Sequence, residues 1–280
     1  MAGTLFLCAT PIGNLGDMSP RAVETLRMVD LIAAEDTRNS IRLLNHFDVR
    51  TPMTSYHEYN KVEKGRQLTE QLLRGQNIAL ITDAGTPAIS DPAEILVRMC
   101  QEKGIPVTSL PGPAACVTAL TLSGLSTRRF CFEGFLPAEK KEKKAVLEEL
   151  SQESRTIIIY EAPHRLIRTL EELYTALGNR RITLCRELTK KFETVFPTTL
   201  EGALEYYKTQ EPRGEYVLVL EGLSPEQKRR CQIAEWESMD IGEHMRYYEA
   251  QGMDNKAAMK QVAKDRGVGK REIYAYLHKE

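Results

Sequence analysis

The sequence predicts an α/β protein, and three observations carry that prediction. Short aliphatic or β-branched runs recur along the 280 residues, each followed by a loop of Gly, Pro, Asp or Ser and then by a stretch at helical spacing. Hydrophobic residues make up 42% and charged residues 28%, so the chain can bury a large core. The formal net charge is -1, which gives the chain as a whole no preference for nucleic acid.

In the first half the strand candidates are TLFLCA (4–9), LIAAE (31–35), NIALIT (77–82) and IPVTSL (105–110). SPRAVETLRMV follows the first: Ser19 can cap a helix, Pro20 suits its first turn, and Val23, Leu26 and Val29 recur at near-helical spacing. The second half offers FCFEGF (130–135), RTIIIYE (155–161), RITLCRE (181–187) and EYVLVLEG (215–222), alternating with KKAVLEELSQE, HRLIRTLEELYTAL and TTLEGALEYYK. The polar segment SGLSTRRF (123–130) divides the two sets. The expected organisation is an N-terminal α/β domain at 1–124, a second α/β domain at 125–222, and a helical tail at 223–280.

In the tail, DNKAAMKQVAKDRGVGKREIYAYLHKE starts with a capping aspartate, runs helically to Arg266, turns at GVG and resumes as a helix, a helix-turn-helix pattern. Residues 254–280 hold seven Lys/Arg against four Asp/Glu, a local excess suited to a phosphate backbone. The alternative is a helical hairpin packing through Ala258, Val262, Ile273 and Tyr276 with its charges solvated. The lysine cluster AEKKEKKAV (138–146) reads first as a solvated helix start.

Several function classes lose support. No G-x-G-x-x-G follows the first strand and no G-x-x-x-x-G-K-[ST] occurs, which argues against a nicotinamide enzyme and an NTPase. The six cysteines are far apart, without metal-ligand spacing, and read as reduced thiols of a cytoplasmic protein with no metal site. MAGTLFLCATPIG lacks a basic leader, and no apolar run approaches the roughly 18 residues that span a bilayer, so no membrane association is expected.

The loops after the strands are the informative part. They read TPIGN (10–14), EDT (35–37), DAGTPAISDP (83–92), PGPAA (111–115), YEAPHR (160–165) and RELTKK (186–191), small, stiffened by proline, and several charged. In open α/β sheets ligands bind beyond the carboxyl ends of the strands, where such loops let a ligand approach backbone amides. Asp83 could instead cap its own turn, Asp91 a helix start, and Ile89 could be core.

CATPIGNLGDMSPRAVETL, AAEDTRNSIRLL, ITDAGTPAISDPA, SLPGPAACVTALTLSGL, FEGFLP, YEAPHR, CRELTKKFE and GEYVLVLEG, in this order, resemble the tetrapyrrole-methylase superfamily, and within it the branch that methylates ribosomal RNA. The resemblance implies two α/β domains forming a cleft for S-adenosylmethionine, 2′-O-methylation of a cytidine ribose in the decoding region of 16S rRNA, the rRNA or the small ribosomal subunit as partner, and a homodimer. It also implies cofactor contacts at Pro11, Asp83, Gly85, Ile89 and Ser90 from the first domain, and at Tyr160, Glu161, Ala162, Leu188, Gly214 and Glu215 from the second. Ala93 departs from the family's usual glycine; alanine there fits a residue that opens the helix AEILVRMCQEKG.

Methyl transfer to a ribose hydroxyl needs in-line placement and removal of a weakly acidic proton. Candidates near the cleft mouth are Glu35, Asp36, Glu161, His164 and Lys190, with Glu161 and His164 favoured because they share one short loop. His164 with Arg165 could equally hold phosphate, and Glu161 could be a structural partner. Arg38, Arg165, Arg186, Lys190, Lys191, Lys270 and Arg271 are the cations expected to steer RNA. Two other readings stay open: a sister enzyme acting on a tetrapyrrole or other small substrate, and a non-enzymatic regulator that senses a metabolite and binds nucleic acid through its tail.

Overall fold

The computed structural model describes residues 1–224, 226, 236 and 239–278. Among these, ten strands form two five-stranded sheets. The first holds β1 (Leu5–Cys8), β2 (Leu31–Ala34), β3 (Met53–Ser55), β4 (Ile78–Ile81) and β5 (Val107–Leu110), parallel throughout, in the order β3-β2-β4-β1-β5. Its helices are α1 (Pro20–Met28), α2 (Thr37–His46), α3 (Lys61–Leu73) and α4 (Ala93–Glu102). Ser19 caps α1 as the sequence predicts, its hydroxyl accepting from the Ala22 N–H at 3.1 Å.

Both faces of this sheet are covered. Ile32, Ala34, Ala79 and Ile81 pack under α1 and α2 through Leu26 and Leu44, while Ala33, Ile78 and Leu80 pack under α3 and α4 through Leu68, Leu72 and Leu96. Burial on both sides explains why these strands read as unbroken apolar runs. The chain leaves β1 for one face and β4 for the other, although β1 and β4 are neighbours. Their loops diverge side by side and open a crevice beyond the carboxyl ends.

The second sheet holds β6 (Phe130–Phe135), β7 (Thr156–Glu161), β8 (Arg181–Arg186), β9 (Thr194–Thr199) and β10 (Tyr216–Leu220) in the order β6-β7-β10-β8-β9. β6 and β7 run parallel; the other neighbours are antiparallel. Ile157, Ile159, Ile182, Leu184 and Leu218 face α6 (Lys140–Gln152), α7 (Leu166–Leu177) and α8 (Leu200–Tyr207). The opposite face, with Ile158, Cys185, Val217 and Val219, is covered by Cys116, Ala119 and Leu120 of α5 (Ala115–Leu122). A helix from the first half therefore completes the core of the second sheet. Both sheets lie in one compact unit, Met1–Ser151 with Arg155–Glu221.

Two strands escape the sequence reading, and both are edge strands. β3 is only three residues long, and β9 contains Pro197, which an edge tolerates and a central strand does not. Ala93 is the first residue of α4, and the left-handed conformations of that loop fall earlier, at Ala88 (φ +69°) and Ser90 (φ +66°). The lysine cluster at 138–146 is not wholly solvated: Lys143 is buried and pairs with Glu172 at 2.7 Å.

The remaining unit comprises Gln152–Ser154 and Gly222–Glu280. Within it α9 (Ile241–Ala250), α10 (Asn255–Asp265) and α11 (Lys270–Leu277) pack around Met245, Ala258, Met259, Val262, Ala263 and Ile273. Asp240 and Asp254 cap α9 and α10, and Gly267, at φ +66°, turns the chain between α10 and α11. Tyr276, read as a packing residue, is exposed, and its hydroxyl donates to Asp240 at 2.6 Å. Cys8, Cys100, Cys116, Cys131 and Cys185 are free thiols; Cys231 lies outside the described residues. Among the described residues no helix is long and apolar enough to cross a membrane.

Candidate active site

Three loops of the first sheet are tied together before any ligand arrives. Thr10 and Gly85 form an antiparallel bridge, with 2.9 Å from the Thr10 N–H to the Gly85 carbonyl and 3.1 Å in return. The Thr10 hydroxyl donates to the Thr82 carbonyl at 3.1 Å, and that of Thr86 to the Pro113 carbonyl at 2.9 Å. The TPIGN, DAGTP and PGPAA loops thus form one preformed wall, so ordering them does not count against binding.

The second sheet supplies the facing wall. Gly134, at the bulge of β6, holds φ +64°, and a Cβ there would lie 2.9 Å from Ser90 Oγ, so glycine favours the close approach of the two walls. Tyr160 stands edge-on to Phe132 and Phe135, with centroids 4.9 and 5.7 Å away, and its oxygen accepts from the Cys116 N–H at 3.1 Å. Burial and the neighbouring Cys116 raise its pKa, so it stays a neutral phenol. The crevice between the walls measures about 670 Å³, a size suited to a small molecule with aromatic and polar parts.

The structure brings together Asp83, Gly85, Ile89, Ser90, Tyr160, Glu161, Ala162, His164, Leu188, Lys190 and Glu215 in this lining, with Glu35 beside them. Ile89 is exposed in the crevice rather than core. Asp83 does not cap its own turn; it accepts from the Asp36 N–H at 3.2 Å and from Asn39 Nδ2 at 3.3 Å, linking β4 to the start of α2. Asp91 does act as a cap, accepting from Ala93 N–H at 2.8 Å and Ile89 N–H at 3.2 Å. Pro11 does not line the crevice; Ile12 does. Gly214 does not either: it sits at φ +75° behind Glu187, whose side chain occupies the space a Cβ would need.

Glu161 is corrected as a proton acceptor. Alternation along β7 sends Tyr160 to the crevice face and Glu161 to the α7 face. Its side chain is fully buried, one oxygen accepting from the Thr169 hydroxyl at 2.6 Å and the other from the Ala162 N–H at 2.8 Å, with Arg165 Nε 3.5 Å away. Both oxygens are committed to holding the β7 exit on α7. His164 is exposed in the turn Pro163–Arg165 at the crevice rim.

The predicted cations divide as well. Arg165 donates to the Leu136 carbonyl at 2.8 Å in addition to facing Glu161, so it is structural. Lys190 lies 2.7 Å from Glu215 and 2.9 Å from Glu187; burial depresses its pKa, but the two carboxylates outweigh burial and raise it. It bridges the rim rather than standing ready for phosphate. Asp36 caps α2, and two hydrogen bonds from the Arg38 guanidinium hold its carboxyl down to about 2. Arg186 donates to the Phe192 carbonyl at 3.3 Å, and Lys191 lies over the Phe192 ring. Lys270 and Arg271 are exposed at the start of α11 in the tail unit.

Sequence reasoning missed Phe135, Cys185 and Val217, which line the crevice through strand alternation, and Ala114 and Ala115 at the start of α5. Parity along β7, β8 and β10 was the available signal: Cys185 and Val217 share the face of Tyr160, while the side chain of Glu161 turns to the α7 face at the crevice edge.

Fold and crevice together define a methylase of the tetrapyrrole (corrin/porphyrin) type, whose family model matches residues 4–204. Solved structures share the fold at low identity: a diphthine synthase at TM-score 0.61 and 14% identity, over 82% of this chain and 94% of that one, and uroporphyrin-III-C-methyltransferase from Thermus thermophilus at TM-score 0.56 and 16% identity, over 78% and 94%. Sequence relatives are far nearer. Ribosomal RNA small subunit methyltransferase I of Halalkalibacterium halodurans is 48% identical over 99% of this chain and 96% of its own, and that of Bacillus subtilis 45% over 99% and 94%. The chain belongs to this ribosomal RNA small subunit methyltransferase I family, within the tetrapyrrole methylases.

Proposed function

We propose that the protein transfers the methyl group of S-adenosylmethionine to the ribose 2′-hydroxyl of a cytidine in the decoding region of 16S rRNA. The observation that carries the reading is the single crevice in which the wall of small, prebonded loops faces Tyr160 and Leu188. Its chemistry fits the donor. The loop from Asp83 to Asp91 lines one side with small and polar residues suited to a zwitterionic amino-acid end, and the aromatic and aliphatic wall suits a purine. When bound, the donor supplies an electrophilic methyl on a sulfonium.

The chain's own residues then orient, desolvate and deprotonate. Asp83, Ile89 and Ser90 face one end of the donor, Tyr160, Ala162 and Leu188 the other, and Gly134 lets the walls approach closely at Ser90. Arg38, Lys191, Lys270 and Arg271 remain the cations suited to an RNA backbone. Residues 1–124 and 125–222 serve as the two halves of the catalytic body and 223–280 as an RNA-binding tail, and the active form is a homodimer in the cytoplasm.

The test is incubation with methyl-labelled S-adenosylmethionine and, separately, assembled small subunits, naked rRNA and a tetrapyrrole, with the product identified by nucleoside analysis. Label on cytidine ribose supports the reading. Label on a pyrrole carbon assigns a sister activity, and donor binding without transfer to any acceptor assigns a regulator. Sedimentation of the purified chain tests the dimer.

A further inference from the structure

Six carboxylates line the crevice: Glu35, Asp83, Asp91, Glu161, Glu187 and Glu215. Five are committed. Asp83 accepts from the α2 start, Asp91 from two backbone N–H groups of its own loop, and Glu161 from Thr169 and the Ala162 N–H. Glu187 accepts from Lys190 at 2.9 Å and from the Glu215 N–H at 2.9 Å, and Glu215 pairs with Lys190. Glu35 differs. It follows β2 at the carboxyl edge of the first sheet, is half-buried and has no ion-pair partner among the described residues; only the Asp83 backbone and His57 favour its ionised form.

We propose that Glu35 is the catalytic residue that accepts the 2′-hydroxyl proton. This rests on the methyltransferase reading given above. As the hydroxyl oxygen forms its bond to the methyl carbon with its own electron pair, the carbon–sulfur bond breaks and leaves its pair on sulfur. The hydroxyl proton moves to a Glu35 oxygen. One negative carboxylate and one positive sulfonium become a neutral carboxylic acid and a neutral thioether, so charge and atoms balance.

The surroundings suit that task. Burial raises the Glu35 pKa above the ordinary carboxylate value, the Asp83 N–H opposes it, Asp83 and Asp91 add to the rise by repulsion, and His57, from the segment after β3, lowers it. Asp36, next in sequence, is neutralised by Arg38 and stays a cap. A carboxylate whose pKa is raised is a stronger base than an exposed one. His164, the rival, lies exposed at the rim.

Glu35→Gln separates proton transfer from placement, because the amide keeps the size and shape of the carboxyl while the group no longer takes a proton. With the full chain and small ribosomal subunits, kcat is expected to fall about 100-fold or more, a general-base contribution. The acid limb of the pH profile of kcat should disappear. Donor affinity by calorimetry and the melting temperature should stay those of the parent. Independently of turnover, carbon NMR of labelled glutamate, assigned by difference against Glu35→Gln, should show one carboxyl titrating above the ordinary glutamate range. Retention of kcat and of the acid limb in Glu35→Gln, loss of donor binding in that variant, or an ordinary titration of the Glu35 carboxyl would each overturn the assignment. Failure of the methyltransferase reading is distinct: the unaltered protein would then label no ribose at all.

Discussion

Thr10 and Gly85 exchange both of their backbone hydrogen bonds although they follow different strands, so the exits of β1 and β4 behave as one rigid piece. Gly85 holds φ +87°, where a side chain is strained by about 1–2 kcal/mol. Gly85→Ala should lower the melting temperature by about 2–8 °C and also weaken donor binding, since the strain falls on the crevice wall. Gly104→Ala is the control: φ is +64°, nothing lies within 4 Å of the added carbon, and the loop between α4 and β5 is not part of the lining. It should lower the melting temperature alone. Scanning calorimetry and donor titration of both variants decide the matter.

Glu161 is predicted to matter for stability rather than for proton transfer. Removing its carboxylate in Glu161→Ala strands the buried Thr169 hydroxyl and the Ala162 N–H and takes the counter-charge from Arg165, at a cost of about 2–4 kcal/mol. Glu161→Gln should cost less, because the amide oxygen can keep one of the two acceptor roles. Urea titration should rank the three proteins in that order. The pH profile of methyl transfer by Glu161→Gln should keep the parent's shape, and a lost limb would restore Glu161 to the chemistry.

The contrast between Glu35 and Glu161 shows what the sequence reveals and what it conceals. Loop composition marks the crevice because several small, proline-stiffened loops fall together on one sheet edge, where each alone would read as a turn, and most residues carried over from the resemblance do line it. Which carboxylate is free depends on partners distant in the chain, such as Thr169 for Glu161 and Lys190 for Glu187, and composition does not encode those pairings. Strand parity was legible and would have aimed the Glu161 side chain at α7. Edge strands were not, because β3 is too short to show alternation and Pro197 disguises β9.

Acid should loosen the tail unit. His244 is fully buried, its ring 4.0 Å from that of Trp236 and nearly parallel to it, its Nδ1 accepts from Arg266 Nε at 3.2 Å, and Asp265 lies 3.6 Å from Nε2. Burial first and Arg266 second depress its pKa below 6.5, while Asp265 opposes them. A histidine whose folded pKa is depressed favours folding fully above its unfolded pKa, and that contribution is lost as pH falls below about 6.5 toward the depressed value. Trp236 is the sole tryptophan, so its emission reports this site directly. Emission should change on acidification with a midpoint below 6.5, and His244→Gln should flatten the curve. A midpoint above 6.5 would contradict the assignment.

The tail should contribute to RNA affinity through charge and not through donor binding. Lys256, Lys260 and Lys264 recur every fourth residue on α10 and are exposed, as are Lys270 and Arg271 at the start of α11. None of the five has a carboxylate partner within 4 Å among the described residues, in contrast to Lys190 and Arg38 in the catalytic body. Each phosphate contact removed from single-stranded RNA should reduce the slope of log affinity against log salt by about 0.7. Lys270→Ala with Arg271→Ala should therefore shallow the slope by about 1.4 and weaken rRNA binding at low salt, with donor affinity and melting temperature unchanged. Fluorescence-anisotropy titrations of a decoding-region fragment across a salt series measure this. An unchanged slope would mean that these two cations are merely solvated and that RNA contacts must be sought elsewhere on the protein.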